Sequence, residues 1–266
     1  MSILEEIFAH VRGAVAQEKR RIPAGSLLAQ AQRAPLPPPF AAALRAAPGQ
    51  TPRLIAEIKR RSPSKGLLRA DLDPLRQAKT YARGGAAAIS VLTEARYFGG
   101  SLADLRAVAA ALPGKPVLRK DFIFDEYQVM QARAAGASAI LLIAAMLPAA
   151  QLRDLLQAAA ALGLEALVET HTAAEIEAAR AAGAALIGVN NRDLHTFHVT
   201  LETCLSLRQR VPPDAIFVAE SGIHTRQDVL RLQAAGVDAM LIGEALVTAP
   251  DPAARLRTLL GLPLEA

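Results

Sequence analysis

The sequence has no tryptophan, a single cysteine and only six lysines against 24 arginines. One cysteine, Cys204, excludes an internal disulfide and a multi-cysteine zinc site, and it suits a reducing compartment. It falls in a predicted helix away from the candidate strand ends and reads as structural. His171, His195, His198 and His224 include no i,i+4 pair on a common helix, so no metal site is expected. Aromatic residues make up only 4% of the chain and the bases are interleaved with acids. That leaves neither a basic face nor a stacking platform for nucleic acid. The formal charge of +5 fits a small anionic partner better. No apolar run approaches the roughly 20 residues of a membrane span; the longest, 139–150, contains Pro148. The opening Met1-Ser2-Ile3-Leu4-Glu5-Glu6 carries acids where a secretory signal carries bases. The expectation is a cytoplasmic protein, without membrane or nucleic-acid partners and without a metal or organic cofactor.

What the sequence does contain is a repeat. Gly84-Gly85-Ala86-Ala87-Ala88-Ile89 returns as Ala135-Gly136-Ala137-Ser138-Ala139-Ile140, as Ala182-Gly183-Ala184-Ala185-Leu186-Ile187 and as Ala235-Gly236-Val237-Asp238-Ala239-Met240. The glycines are 51, 47 and 53 residues apart. Each time an alanine-rich helical stretch meets glycine, which suits a helix C-terminus, and an apolar strand follows. Another apolar run lies between consecutive copies. Together they predict eight strands, at 53–59, 87–92, 116–122, 139–145, 165–170, 186–191, 216–221 and 239–244. Short, almost wholly apolar strands separated by helices are buried parallel strands. Eight in 266 residues predict a closed (β/α)8 TIM barrel, a fold of about 250 residues. The alternative is an open doubly wound sheet, but no Gly-x-Gly-x-x-Gly turn follows the first strand and the even repeat suits closure.

Residues 1–52 stand outside the repeat and read as a helical extension packed on the barrel domain of 53–266. Leu4, Ile7, Phe8, Val11 and Val15 recur at helical spacing, predicting an amphipathic helix from Ser2 to about Arg21. Pro35-Leu36-Pro37-Pro38-Pro39 separates it from a short helix at 40–47.

Barrel enzymes place their chemistry at the C-terminal ends of the strands. Here those ends are charged: Glu57 and Lys59, Arg119-Lys120-Asp121, Glu169 and His171, Asn190-Asn191-Arg192-Asp193, Glu220-Ser221 and Glu244. Glu57 and Lys59 alternate and so share one face of their strand. Two of the few lysines sit at these ends, where a titratable cation offers what a guanidinium cannot. Any single charge could instead belong to a structural ion pair; six strand ends aimed at one rim favour a site. Gly222 and Gly243 follow the last two strands, where bare N–H groups can meet a phosphate. A β-branched residue at 243 is therefore expected to raise KM with the fold intact.

Ile55-Ala56-Glu57-Ile58-Lys59-Arg60-Arg61-Ser62-Pro63-Ser64-Lys65-Gly66 resembles the signature of the indole-3-glycerol phosphate synthase family. The likeness continues through Ser90-Val91-Leu92-Thr93-Glu94, Leu118-Arg119-Lys120-Asp121-Phe122-Ile123, Val168-Glu169, Gly188-Val189-Asn190-Asn191-Arg192-Asp193-Leu194, Glu220-Ser221-Gly222-Ile223 and Leu241-Ile242-Gly243-Glu244. Arg61 and Thr170 depart from the usual pattern, away from the proton-transfer groups. The resemblance implies a (β/α)8 enzyme that closes, decarboxylates and dehydrates 1-(2-carboxyphenylamino)-1-deoxyribulose 5-phosphate without a cofactor. It assigns Glu57, Lys59, Lys120 and Glu169 to catalysis, with Asn190 and Ser221 ordering the site. It assigns Ser62, Phe122, Arg192, Gly222, Gly243 and Glu244 to substrate binding. A sugar-phosphate isomerase barrel would share the glycine turns but not the paired lysines, and a non-catalytic scaffold would need neither. A monomer or weak homo-oligomer is expected.

Overall fold

The computed structural model describes residues 3–193 and 196–264; Ser2, Leu194 and His195 of the readings above lie outside the described residues. Eight parallel strands close into a barrel in chain order. They are β1 (Arg53–Ile58), β2 (Ala88–Leu92), β3 (Val117–Lys120), β4 (Ala139–Ile143), β5 (Glu165–Thr170), β6 (Leu186–Asn190), β7 (Ile216–Glu220) and β8 (Ala239–Ile242). Closure is direct: Ile55 of β1 is in register with Ala88 of β2 on one side and Leu241 of β8 on the other. Most strands stop one or two residues before the sequence predicts. The ladder ends where the chain turns into the loops, so Lys59, Phe122, Ser221 and Glu244 leave the sheet at the mouth.

Side-chain parity divides the core into two shells. Leu54, Ala56 and Ile58 of β1, with Val168, Phe217 and Met240, pack outwards against the helices. Ile55, Leu118, Leu167, Leu186, Val218 and Leu241 fill the barrel interior. Burying each such aliphatic side chain contributes roughly 1.5–3 kcal/mol. The same parity carried two residues further, or four on β6, puts Glu57, Lys120, Glu169, Asn190, Glu220 and Gly243 on the inner wall. The four repeat glycines lie at φ of +71° to +104°, the left-handed conformation that releases each helix into its strand.

Three helices precede β1: α1 (Ile3–Arg21), α2 (Ala24–Arg33) and α3 (Phe40–Leu44). α2 was not anticipated, because only Leu27 and Ala31 mark its buried face. α3 is shorter than the predicted 40–47. At the barrel floor, the Phe40 and Ala41 N–H groups donate to the Glu165 carboxylate at the start of β5. Further up, Arg133 donates to the Ala34 and Pro35 carbonyls, and the Tyr127 hydroxyl to those of Glu18 and Ile22. The start of α1 reaches the opposite end, where Ile3, Leu4 and Ile7 line the mouth. Among the described residues no helix is long and apolar enough to cross a membrane.

Candidate active site

A cavity of about 450 Å³ opens at the C-terminal ends of the strands, and all twelve residues named from the sequence line it. Its floor holds two cation–carboxylate groups, one from β1 and one from β3, β5 and β7. Lys59 Nζ lies 2.8 Å from Glu57 Oε1, both on β1 or its immediate extension. Lys120 Nζ, from β3, lies 3.3 Å from Glu169 Oε2 and 3.7 Å from Glu220 Oε2. The Asn190 amide donates to Glu169 Oε1 at 3.1 Å, and its own oxygen accepts from the Arg192 N–H, so β6 fixes the Glu169 carboxylate.

The carboxylates are buried and the two lysines half-buried, and each charge depends on the others. Burial would raise the Glu57 carboxyl, but the Lys59 and Lys120 ammonium groups outweigh it and hold it below its ordinary value. Glu169 is likewise held down, against its burial, by Lys120, His171 and the Asn190 hydrogen bond. Burial would strip Lys120 of its proton, yet the carboxylates of Glu169, Glu220 and Glu57 keep it firmly charged.

Glu220 is the residue that sequence reasoning quoted but did not assign. Burial and the neighbouring Glu169 charge push its carboxyl up to about 8. Neither of its oxygens has a hydrogen-bond partner among the described residues. A neutral Glu220 leaves two lysines facing two carboxylates, with His171 adjoining, which lets an anion enter. One sequence signal existed. A Cβ at Gly188, the inward position before Asn190, would collide with the Glu220 carboxylate, so this glycine makes room for it. The sign of the pH effect follows. From the ordinary 4.5 to about 8, the folded state holds a proton that the unfolded state has lost, so this contribution to stability declines as pH rises. Ionisation above about 8 also adds a negative charge to the mouth of the free enzyme. We expect kcat/KM to fall above that pH, and Glu220→Gln to remove this limb from the pH profile.

At the rim, Glu244 lies 3.7 Å from Lys65 and 3.9 Å from Arg192. Ser62 belongs to a two-stranded hairpin after β1 (Arg61–Ser62 with Gly66–Leu67), and its hydroxyl accepts from the Lys65 N–H. Arg61 is an exposed part of the same hairpin. Phe122 and Phe98 pair with ring centroids 6.0 Å apart, giving the cavity an apolar wall that Ile3, Leu4 and Ile7 extend. Ser221 and Gly222 are consecutive left-handed residues, at φ of +65° and +74°. Such a conformation costs a non-glycine residue about 1–3 kcal/mol and marks positions held for function.

The structure corrects the expectation for position 243. A Cβ there would collide with the Glu57 carboxylate and press on its stem, so the substitution acts first on Glu57. Gly243→Val is expected to lower kcat at least about tenfold through that displacement, beyond any change in KM. Unchanged kcat in the folded variant would show that Glu57 relaxes without consequence.

Other charges at the strand ends are structural. Arg119 points outwards on the opposite parity, where it pairs with Asp121 at 2.9 Å and donates to the Gln128 carbonyl of α6 (Glu126–Ala134). Thr170, also outward, donates to the Gly188 carbonyl. Cys204 is buried in α9 (Glu202–Leu207), away from the cavity, and burial pushes its thiol up to about 12. Among the described residues no three metal-ligating side chains converge.

A closed parallel barrel whose C-terminal mouth buries two ammonium groups against opposing carboxylates is an α/β-barrel enzyme equipped for proton transfer. A family model for indole-3-glycerol phosphate synthase matches residues 4–259. The chain is 49% identical over 267 residues to an indole-3-glycerol phosphate synthase of Roseiflexus sp. (strain RS-1), covering 98% of each. It is 48% identical over 261 residues to one from Dehalococcoides mccartyi (strain CBDB1), covering 97% of this chain and 100% of the relative. The chain belongs to the indole-3-glycerol phosphate synthase family, and its activity is that of this carboxy-lyase of tryptophan biosynthesis. Among solved structures, a 3-hexulose-6-phosphate synthase aligns with TM-score 0.64 at 21% identity, covering 79% of this chain and 98% of that one. A tryptophan synthase alpha-subunit from Pyrococcus furiosus aligns at 0.61 and 14%, covering 79% and 98%. At such identities the likeness is one of fold.

Proposed function

We propose that the two cation–carboxylate groups divide the synthase reaction between them. The observation that carries this is their pairing: Lys120 lies against Glu169 and Glu220, while Lys59 lies against Glu57. The substrate is 1-(2-carboxyphenylamino)-1-deoxyribulose 5-phosphate. Its ring carbon bearing the carboxylate attacks the ketone carbon, and Lys120 gives a proton to the ketone oxygen as negative charge gathers there. The carboxylates around Lys120 keep it protonated until that strongly basic oxygen develops. The carbon–carboxylate bond then breaks, carbon dioxide leaves, and its electron pair restores the aromatic ring.

The hydroxyl formed at the old ketone carbon is a poor leaving group. Lys59 protonates it and it departs as water, while Glu57 takes the proton from the carbon next to nitrogen, completing the indole. Because the two groups are 2.8 Å apart, the proton gained by Glu57 can return to Lys59. Lys59 also offsets the substrate's carboxylate before it is lost, and Glu169 steadies the charge on Lys120. Asn190 orients Glu169, and Ser221 orders the turn after β7. The left-handed Ser221-Gly222 turn and the Gly243-Glu244 turn face the phosphate. Arg192 and Ser62 hold the substrate chain, and Phe122 lies beside the aromatic ring. Every step moves protons or carbon dioxide and none is a redox step, which supports a reaction without cofactor.

The proposed assembly is a monomer or weak homo-oligomer, and the lone buried cysteine suits the cytoplasm. The test of the reaction is optical. The protein contains no tryptophan, so an indole product fluoresces over a dark background. Adding substrate to purified protein is expected to produce that signal; folded protein that leaves stable substrate unchanged would overturn the assignment.

A further inference from the structure

The proposed reaction does not balance its protons within the site. The substrate enters with an ionised carboxylate and carbon dioxide leaves neutral, so each turnover takes up one proton. In the dehydration step Lys59 gives one proton and Glu57 receives one, which leaves that pair as it began. Lys120 gives a proton to the ketone oxygen and receives none from the substrate. It has to be reloaded from water, and it lies at the cavity floor.

We propose that His171, backed by Glu175, carries a proton from solvent through Glu169 to Lys120 after each turnover. This rests on the assignment of ring closure to Lys120. The Glu169 carboxylate presents a different oxygen to each neighbour: Oε2 faces Lys120 Nζ at 3.3 Å and Oε1 faces His171 Nε2 at 3.5 Å. The other ring nitrogen, Nδ1, lies 3.3 Å from Glu175 Oε2. Side-chain exposure is 16% at Lys120, 4% at Glu169, 13% at His171 and 21% at Glu175, so the line leads from the cavity floor through a buried carboxylate to solvent outside the cavity.

Helix capping accounts for only part of this arrangement. Glu175 lies in the first turn of α8 (Ala173–Ala181), where it accepts from the His171 N–H and the Thr172 hydroxyl, while Thr172 accepts from the Glu175 N–H. That box uses the backbone of residue 171 and does not require an imidazole. The ring nevertheless turns inward, and Nε2 is buried without a hydrogen-bond partner among the described residues. The titratable groups facing it are Glu169 on β5, Glu175 on α8 and Glu220 on β7, with the Lys120 ammonium beyond Glu169. Burial would lower the imidazole, but the Glu175 hydrogen bond and the carboxylates outweigh it and raise it above its ordinary value, which favours the protonated ring.

In the transfer, the Nε2–H bond breaks as an O–H bond forms at Glu169 Oε1, the carboxyl turns about its Cγ–Cδ bond, and that O–H gives its proton to the Lys120 amine. The neutral ring keeps its Nδ1 proton on Glu175. Rotation of the ring brings the emptied nitrogen to the rim, where water protonates it.

The test compares first and later turnovers of His171→Gln by rapid quench. Glutamine retains polarity and approximate length but cannot relay a proton. With enzyme in excess, the first-turnover rate is expected to stay within about twofold of the unsubstituted protein. With substrate in excess, one equivalent of indole forms in a burst and kcat falls about tenfold, with added imidazole restoring it. Rates that fall together, without an imidazole response, would make His171 a prop for Glu169 and overturn the relay; so would two unchanged rates. Glu175→Gln is an independent check should His171→Gln fail to fold. Removing that carboxylate lowers the imidazole, so the alkaline decline of kcat should move to lower pH, and an unmoved limb contradicts the relay. An intact first turnover in Lys120→Met would instead overturn the reading beneath it.

Discussion

Lys120→Met is expected to lower kcat by about 10²–10⁴, the usual worth of a positioned general acid, and to do so in the first turnover. The ketone oxygen gains its charge at ring closure, and in the described structure Lys120 is the cation held between β5 and β7 carboxylates to meet it. Methionine preserves the length and apolar stem while removing the proton and the charge. Because the lost interaction belongs to the transition state, kcat and kcat/KM should fall together. Removing the cation also leaves Glu169 without its main counter-charge, so its carboxyl rises and the variant's activity should worsen less at acid pH. Steady-state rates from pH 5.5 to 8.5, with melting curves to confirm folding, check this. A kcat within a few fold of the unsubstituted protein would remove Lys120 from the ring-closing step.

Glu57→Gln should fall into the same range, about 10²–10⁴ in kcat, for a different reason. Glutamine keeps the shape and fills the space facing Gly243, but it cannot take the proton from the carbon next to nitrogen. Ring closure and decarboxylation occur before that proton is needed. The variant should therefore release carbon dioxide at close to the normal rate in a first turnover while indole lags behind. Carbon dioxide and indole measured on the same quenched samples decide the point. Equal rates for both products would mean that Glu57 acts before decarboxylation.

The barrel was legible because its strands are short and apolar on both faces, so eight runs stood out against alanine-rich helices. Inner-wall parity was legible only in part. Glu57 and Lys59 stand two apart in one strand, and alternation alone puts them together. Glu220 carries no such mark. Its position follows from Val218 two residues earlier, and its protonation from burial beside Glu169, a residue some fifty positions away in the chain. Gly243 read as a phosphate-facing turn and Gly188 carried no reading of its own, whereas the structure shows each yielding space to a carboxylate from another strand. The extension was similarly half visible. Helical spacing marked α1, but that its first turn lines the mouth while α3 is tied to the floor depends on contacts with β5 and α6. α2 escaped because a stripe of two residues, Leu27 and Ala31, is too short to show a period.

Central to the account is the division of labour between Lys120 and Lys59, and rapid-quench analysis of the two methionine variants tests it most directly. Each variant, in excess over substrate, is stopped through a single turnover, and the substrate, the decarboxylated but still hydroxylated intermediate, and the indole are separated. Lys59→Met should bind substrate more weakly and accumulate the hydroxylated intermediate, because ring closure proceeds and dehydration does not. Lys120→Met should leave unreacted substrate and no intermediate. The reverse pattern, with intermediate building up in Lys120→Met and not in Lys59→Met, would contradict the assignment.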